Sequence, residues 1–72
     1  MLTIKQKILL EAIEWFINTN GYSPTIQELC VLVGNKSKSA VFNKLMELER
    51  KKYISTVNGK ARTIKVLRSV EE

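Results

Sequence analysis

One short helix, bounded on both sides, constrains the fold more than any other feature of this 72-residue chain. The stretch TIQE, which begins at Thr25, is a capping box: the hydroxyl of Thr25 and the carboxylate of Glu28 each accept a hydrogen bond from a first-turn amide. Gly34 ends this helix, and another is predicted to start near Ser37. Two short helices joined by a tight turn that contains glycine predict a helix-turn-helix.

A longer helix precedes this pair. Thr3 can cap a helix that runs to about Asn20, and Gly21 can end it in the left-handed conformation. Its polar residues form one narrow stripe and its apolar face is wide, so we predict that it is the central helix of the core. We interpret Trp15 and Phe16 as core residues; the alternative is a platform on which a ligand stacks.

The second helix is predicted from Ile26 to about Val33, and Cys30 falls on its apolar side. Cys30 is therefore predicted to be a buried core residue, and the alternative is a reactive thiol.

The third helix has two distinct faces. One carries three apolar residues that we assign to the core: Val41, Leu45 and Leu48. The opposite face carries Ser39, Phe42, Asn43 and Met46. Exposure of the apolar Phe and Met side chains to water is unfavourable, so this face is predicted to contact an outside partner. The alternative is that both apolar side chains pack elsewhere on the chain.

The hydrophobic period changes after the third helix. Residues 54–57 and 62–67 are rich in β-branched residues, and Asn58-Gly59 between them is a strong signal for a hairpin turn. We therefore predict a mainly α fold with a small β-hairpin, a three-helix winged helix-turn-helix. The domain is predicted to span residues 1–68, with 69–72 as a charged tail or the start of a linker.

Positive charge is concentrated in the second half of the chain. Residues 35–68 hold ten Lys or Arg against two Glu, a net charge of +8, whereas residues 1–34 carry −1. A basic face is often only a solvated surface, but it is also the electrostatic footprint of nucleic-acid binding.

Composition argues against several classes of function. A single small domain buries only a modest core, so an internal cofactor cavity is not expected. With no His, no Asp and one Cys, the sequence predicts no catalytic residue, no metal site and no cofactor. It shows no signal peptide and no membrane-spanning run, which predicts a cytoplasmic protein without a membrane partner.

The start of the third helix is positive where helices usually carry acidic residues. Lys36 and Lys38 flank Ser37 at the positive end of the helix dipole. Free amides, hydroxyls and these two lysines predict an anion site for a phosphate. The alternative is that both lysines are ordinary solvated side chains.

The chain resembles the DNA-binding domain of LexA-type repressors of the bacterial SOS response, over about residues 2–67. The resemblance rests on GYSPTIQEL, from residue 21, and on VGNKSKSAVFNKLMELERKKYI, from residue 33. Two residues depart from the family pattern. Asn35 replaces an apolar residue after the glycine, and Phe42 stands at a position that is usually polar.

The resemblance implies two sets of site residues. Residues that face the operator bases are expected at the start of the third helix: Ser37, Ser39, Ala40, Phe42 and Asn43. Contacts to the DNA backbone are expected from that helix and from the wing: Lys36, Lys38, Lys44, Asn58, Gly59, Lys60 and Arg62.

The predicted function is sequence-specific binding of double-stranded DNA by a transcriptional regulator, expected to be a repressor, with the third helix in the major groove and the wing on the backbone or minor groove. We expect a monomer that binds palindromic operators as a dimer, with no small-molecule ligand. One alternative is a winged-helix module for protein–protein interaction. RNA is less favoured, because no aromatic strand face is available for stacking bases.

Overall fold

The computed structural model describes residues 2–57 and 59–69. Helix α1 spans Ile4–Asn20, α2 spans Ile26–Val33 and α3 spans Lys38–Arg50. Strands β1 (Ile54–Ser55) and β2 (Lys65–Val66) then form an antiparallel pair. We call residues 54–66 the wing. The predicted fold class, three helices followed by a small hairpin, is confirmed.

Local capping interactions set the ends of α1. The hydroxyl of Thr3 accepts a hydrogen bond from the amide of Gln6 at 3.1 Å, and Gln6 Oε1 accepts one from the Thr3 amide at 3.0 Å. At the other end Gly21 adopts a φ of 81° and its amide donates to the carbonyl of Ile17. The predicted cap at Thr3 and stop at Gly21 are confirmed; the return bond from Gln6 was not foreseen.

Capping also defines the helix-turn-helix. Thr25 and Glu28 form the predicted capping box at the start of α2, and Gly34 ends that helix with a φ of 70°. Ser37 caps α3, since its hydroxyl accepts a hydrogen bond from the amide of Ala40 at 3.2 Å. Few residues separate the two helices, as predicted.

All three helices and the wing contribute to one core. Cys30 is buried in it, as predicted, and so are the three apolar residues of α3 that were assigned to it. The buried apolar residues of the cluster are Leu9, Leu10, Ile13, Leu29, Cys30, Val41, Leu45, Leu48, Tyr53, Ile54 and Ile64.

The prediction that Trp15 lies in the core is wrong, because its side chain is 55% exposed. Ile4 and Ile8 are also exposed, and the helical period puts all three on the side of α1 opposite Leu9 and Ile13. A domain of this size has too few elements to surround a helix completely. The wide apolar face of α1 is therefore covered on one side only; Phe16, on the covered side, is buried as predicted.

Substitution of Trp15 should therefore be mild. We expect Trp15→Ala to lower the free energy of unfolding by about 1 kcal/mol or less, against about 3–5 kcal/mol for a buried tryptophan. Urea titration followed by circular dichroism measures this loss, with Phe16→Ala as the matched variant of a buried neighbour. A loss for Trp15→Ala as large as that for Phe16→Ala would contradict the exposed position of Trp15.

The strands of the wing are shorter than the segments 54–57 and 62–67 that the sequence predicted. The ladder pairs Ile54 with Val66 and Ser55 with Lys65, so each strand is two residues long. The amide of Lys60 does donate to the carbonyl of Val57 at 3.2 Å, which places a turn where one was predicted. Asn58, which was predicted as a wing contact to DNA, lies outside the described residues.

A threonine hydroxyl explains why the ladder stops early. Thr63 Oγ1 accepts a hydrogen bond from the amide of Val57 at 3.0 Å and lies 3.2 Å from the hydroxyl of Thr56. Just before it, Arg62 has a φ of 57°, a left-handed conformation that bends the returning chain out of the strand. Side-chain bonds thus replace backbone pairing in the outer wing.

Candidate nucleic-acid interface

An open cleft of about 750 Å³ lies between the start of α2, the outer face of α3 and the wing. Lys38, Ser39 and Asn43 lie on its α3 side, and Gly59 and Lys60 lie on the facing wing. The fold thus brings together, across one cleft, polar and basic residues that are about twenty positions apart in sequence.

The two apolar residues of the predicted outer face of α3, Phe42 and Met46, also line this cleft. Phe42 remains 40% exposed, which is consistent with its predicted outward position. Met46 differs from the prediction, since it is partly buried and packs against the hydrophobic core. Of the two apolar residues on this face, Phe42 is the one available to a partner.

The start of α3 retains unused hydrogen-bond donors. Its first turn contains no acidic residue, and Ser37 serves as the cap. The amides of Lys38 and Ser39 have no hydrogen-bond partner within the described residues. Such amides at the positive end of a helix dipole suit an anion.

Asn35 has a local role that the sequence did not suggest. Its side-chain oxygen accepts a hydrogen bond from the amide of Ser37 at 2.9 Å, and its own amide donates to the carbonyl of Cys30 at 3.0 Å. This bond from a short polar side chain to the backbone two residues ahead is the Asx-turn that Asn favours. A polar residue after Gly34 therefore fits the turn between α2 and α3.

The other flank of α3 carries a second group of lysines. Lys36 and Lys44 line a hollow that they share with Lys5 of α1, away from the wing. Ala40 and Asn43 line a neighbouring hollow beside the start of α1. Because Asn43 borders this hollow as well as the cleft, it lies on the exposed ridge of α3.

Two residues beside these surfaces were missed by sequence reasoning. Lys5 belongs to no sequence motif, and its proximity to Lys44 depends on how α1 crosses α3. Gln27 lines the cleft from the first turn of α2. It lies between Thr25 and Glu28, the two residues that form the capping box. Its position in the capping box was a usable signal, because first-turn side chains of α2 project beside the start of α3.

Arg62, predicted as a wing contact to the DNA backbone, is engaged within the chain. Its Nη1 donates to Glu28 Oε1 at 2.9 Å and to the carbonyl of Ser23 at 3.1 Å, and its Nη2 donates to Glu28 Oε2 at 3.2 Å. The guanidinium carbon also lies 4.9 Å from the centre of the Tyr22 ring. We call this set of contacts the Arg62 clamp.

Two hydrogen bonds hold the pKa of Glu28 below its ordinary value. The largest cause is the hydrogen bond from the Thr25 backbone, followed by that from Arg62, while desolvation acts in the opposite direction. A carboxylate whose pKa is lowered by folding contributes stability that is present above its unfolded pKa and is lost as pH falls through its folded pKa. The ion pair is therefore present at neutral pH and is lost in acid.

Other basic residues of the second half also have partners within the chain. Arg50 forms a salt bridge with Glu47, Lys51 donates to Gln6 at 2.9 Å, and Arg68 lies over the ring of Tyr53. The net charge of +8 therefore overstates the cations available to a partner.

Within residues 2–57 and 59–69, no cluster of His, Cys, Asp or Glu could hold a metal ion. No helix in this part of the chain has the length and apolarity needed to cross a membrane.

Three helices with a helix-turn-helix between the second and third, followed by an antiparallel hairpin, define a winged helix-turn-helix protein. The sequence profile of the LexA DNA binding domain matches residues 1–63, and the chain belongs to this family. The resemblance found in the sequence is thereby confirmed.

Individual relatives agree with the family assignment. The chain is 40% identical over 60 residues to the LexA repressor of Moorella thermoacetica, covering 83% of this chain and 29% of that repressor. It is 41% identical over 66 residues to the LexA repressor of Caldicellulosiruptor saccharolyticus, covering 92% and 33%. It is 42% identical over 66 residues to that of Clostridioides difficile, covering 92% and 31%.

The chain spans about a third of the length of these repressors. The part that it matches is their DNA-binding domain, which is not a catalytic region.

Proposed function

We propose that this chain binds double-stranded DNA in a sequence-specific manner as the DNA-binding part of a transcriptional repressor. The observation that carries this proposal is the cleft in which Lys38, Ser39 and Asn43 face Lys60 of the wing. Cations at both edges with hydrogen-bonding side chains between them suit a duplex, whose phosphates flank the base edges of each groove. The relatives named LexA repressor support the same function.

In this proposal α3 enters the major groove. Asn43 lies on the exposed ridge, where its amide can pair bidentately with adenine, and Ser39 can bond several base edges. The ring of Phe42 can contact a thymine methyl group. Ser37 is occupied as the cap of α3 and Ala40 lies towards α1, so we expect both to contribute less to base recognition.

The flanks of α3 would hold the two phosphate strands. Lys38, the adjacent first-turn amides and Lys60 lie on the wing side, while Lys5, Lys36 and Lys44 lie on the other. A helix in a groove about 12 Å wide approaches the backbone on both sides, so each group of cations has a strand within reach.

We also infer that the domain ends near Arg68. The amides of Leu67 and Arg68 both donate to the carbonyl of Tyr53, at 2.7 and 3.2 Å. These bonds tie the chain, up to this point, to the residue that precedes β1. Most of the predicted tail, residues 70–72, lies outside the described residues.

Selection from random duplex DNA tests the proposal directly. We expect enrichment of a short motif, repeated as a palindrome, from a library incubated with the chain at moderate salt. Recovery of a random set of sequences would contradict sequence-specific binding. It would favour the alternative of a protein interaction module, in which exposed Phe42 meets another protein.

The proposal assigns different roles to Asn43 and Lys60. Asn43→Ala should cost about 1–3 kcal/mol of discrimination at one base pair, whereas Lys60→Ala should weaken binding to all sequences alike. Fluorescence anisotropy with the selected duplex and with its single-base variants separates the two effects. Equal, sequence-independent losses in both variants would show that α3 does not read bases.

A further inference from the structure

The returning strand of the wing is tied to the start of α2 by several bonds. Arg62 makes the three hydrogen bonds of its clamp with Glu28 and Ser23, and its guanidinium lies over the ring of Tyr22. Two residues further on, the amide of Ile64 donates to the hydroxyl of Ser23 at 3.0 Å, and this bond is buried. Residues 62–64 are thus anchored to the segment that leads into the helix-turn-helix.

The outer part of the wing has fewer bonds to the helices. Each strand is two residues long, and a hairpin of this size has little stability of its own. The hydrogen bonds of Thr63 in the outer wing run to Thr56, Val57 and Lys60, which all belong to the wing itself. They shape the tip. Among the described residues, the hydrogen bond that joins this outer part to α3 runs from the Thr56 amide to Glu49 Oε2 at 3.2 Å, on the outgoing side of the wing. The returning side, which carries Lys60, is joined to the helices by the Arg62 clamp and the Ile64 bond.

We propose that Arg62 is a positioning residue, which holds Lys60 across the cleft from α3, and that it does not itself contact a phosphate. This role rests on the proposed function, because it defines how the wing serves DNA binding. Both ends of the guanidinium fork are already bonded to one carboxylate, in the bidentate geometry that Arg favours. A phosphate would have to displace Glu28 from that fork.

The salt dependence of binding distinguishes positioning from direct contact. Arg62→Ala keeps a Cβ at the left-handed φ of residue 62, so it isolates the guanidinium. We expect it to weaken binding to all sequences by about tenfold, because the wing must then be ordered when DNA binds. The slope of log affinity against log salt should not change, whereas loss of a phosphate contact, as in Lys60→Ala, reduces its magnitude by about 0.9.

The two possible roles of Arg62, positioning the wing or binding a phosphate, predict opposite effects of a Glu28 substitution on DNA affinity. Glu28→Gln keeps the capping box, since Gln also serves at that position, but removes the ion pair. If Arg62 positions the wing, Glu28→Gln should weaken binding relative to Glu11→Gln, which removes an exposed carboxylate of α1 and reports the general effect of charge. If Arg62 binds a phosphate, Glu28→Gln frees it and should strengthen binding relative to that control.

Conservative replacement and a measurement without DNA complete the test. Arg62→Lys should not restore affinity, because an ammonium cannot reproduce the bidentate fork, although it could still meet a phosphate. In the free protein, Arg62→Ala should shift the amide resonances of Gly59 and Lys60 and leave those of the amino-terminal half of α1 unchanged, since Tyr22 lies at the other end of that helix. Unaltered wing resonances, or full rescue by lysine, would overturn the positioning role.

Loss of stability needs its own control. Cys30→Ala lowers stability through the core and leaves the contacts of the Arg62 clamp in place, so its affinity should match that of the unchanged chain well below the melting temperature. A fall in affinity equal to that of Arg62→Ala would make the effect one of stability alone and overturn the proposal. Failure of the unchanged chain to bind any duplex would instead overturn the proposed function, whereas a reduced salt slope in Arg62→Ala would overturn the role of Arg62 alone.

Discussion

Affinity for duplex DNA is expected to fall about 500-fold between 50 and 200 mM salt, with log affinity against log salt at a slope of about −4 to −5 per subunit. The slope reflects counterions released when cations neutralise about five phosphates. From the sequence, Arg62 was expected to be one of these cations. In the structure it is bound to Glu28, and we expect Lys5 to supply the fifth phosphate contact instead. The expected contacts are Lys5, Lys36, Lys38, Lys44 and Lys60.

Titrations at several salt concentrations measure this slope. Lys5→Ala should reduce its magnitude by about 0.9, although Lys5 lies in α1. Lys7→Ala is the matched control: it removes a lysine of the same helix that does not line the hollow, and the slope should not change. A slope near zero for the unchanged chain would rule out binding through phosphates.

The second large effect concerns the number of copies that bind. We expect a monomer in solution and two copies on a palindromic duplex, with affinity for a half-site lower by about 100-fold or more. One reading helix contacts too few base pairs to select a single site in a genome, so a second copy must supply the remaining specificity.

The exposed face of α1 does not alter the expectation of a monomer. Ile4, Ile8 and Trp15 form one line of side chains along a helix, whereas an obligate dimer commonly buries about 2,000 Å² or more. Sedimentation velocity with and without the selected duplex measures both states. A stable dimer without DNA, or a half-site bound as tightly as the palindrome, would contradict this expectation.

Local signals in the sequence were sufficient to locate the helices. Thr3, Thr25 and Ser37 cap helices through bonds to residues three positions away, so their effect is visible in a short stretch of sequence. Likewise, the left-handed conformations of Gly21 and Gly34 follow from their place directly after the last turn of a helix. The helical period of α3 correctly predicted which of its apolar side chains face the core and which residues face outward, with Met46 as the exception.

Features that depend on distant parts of the chain were not predictable. Arg62 meets Glu28 across 34 positions, and nothing near either residue indicates the pair. Exposure of Trp15 depends on which side of α1 is covered by the two neighbouring helices. The apolar face of α1 is wider than the surface that these helices can cover, so the sequence pattern does not show which part of it is buried. The length of the strands depends on Thr63, whose hydroxyl competes with the ladder in a way that strand propensity does not capture.

Ser39 and Asn43 are exposed, and within the described part of the chain neither side chain makes a hydrogen bond. Their replacement should therefore cost little stability. If these two residues read bases, as proposed, the residues that set DNA specificity are separate from those that stabilise the fold. The specificity of the domain can then change without loss of stability. After gene duplication, single substitutions at these two positions could redirect one copy to a new set of operators while the core stayed intact. Every intermediate along such a path would be a folded protein that natural selection could act upon.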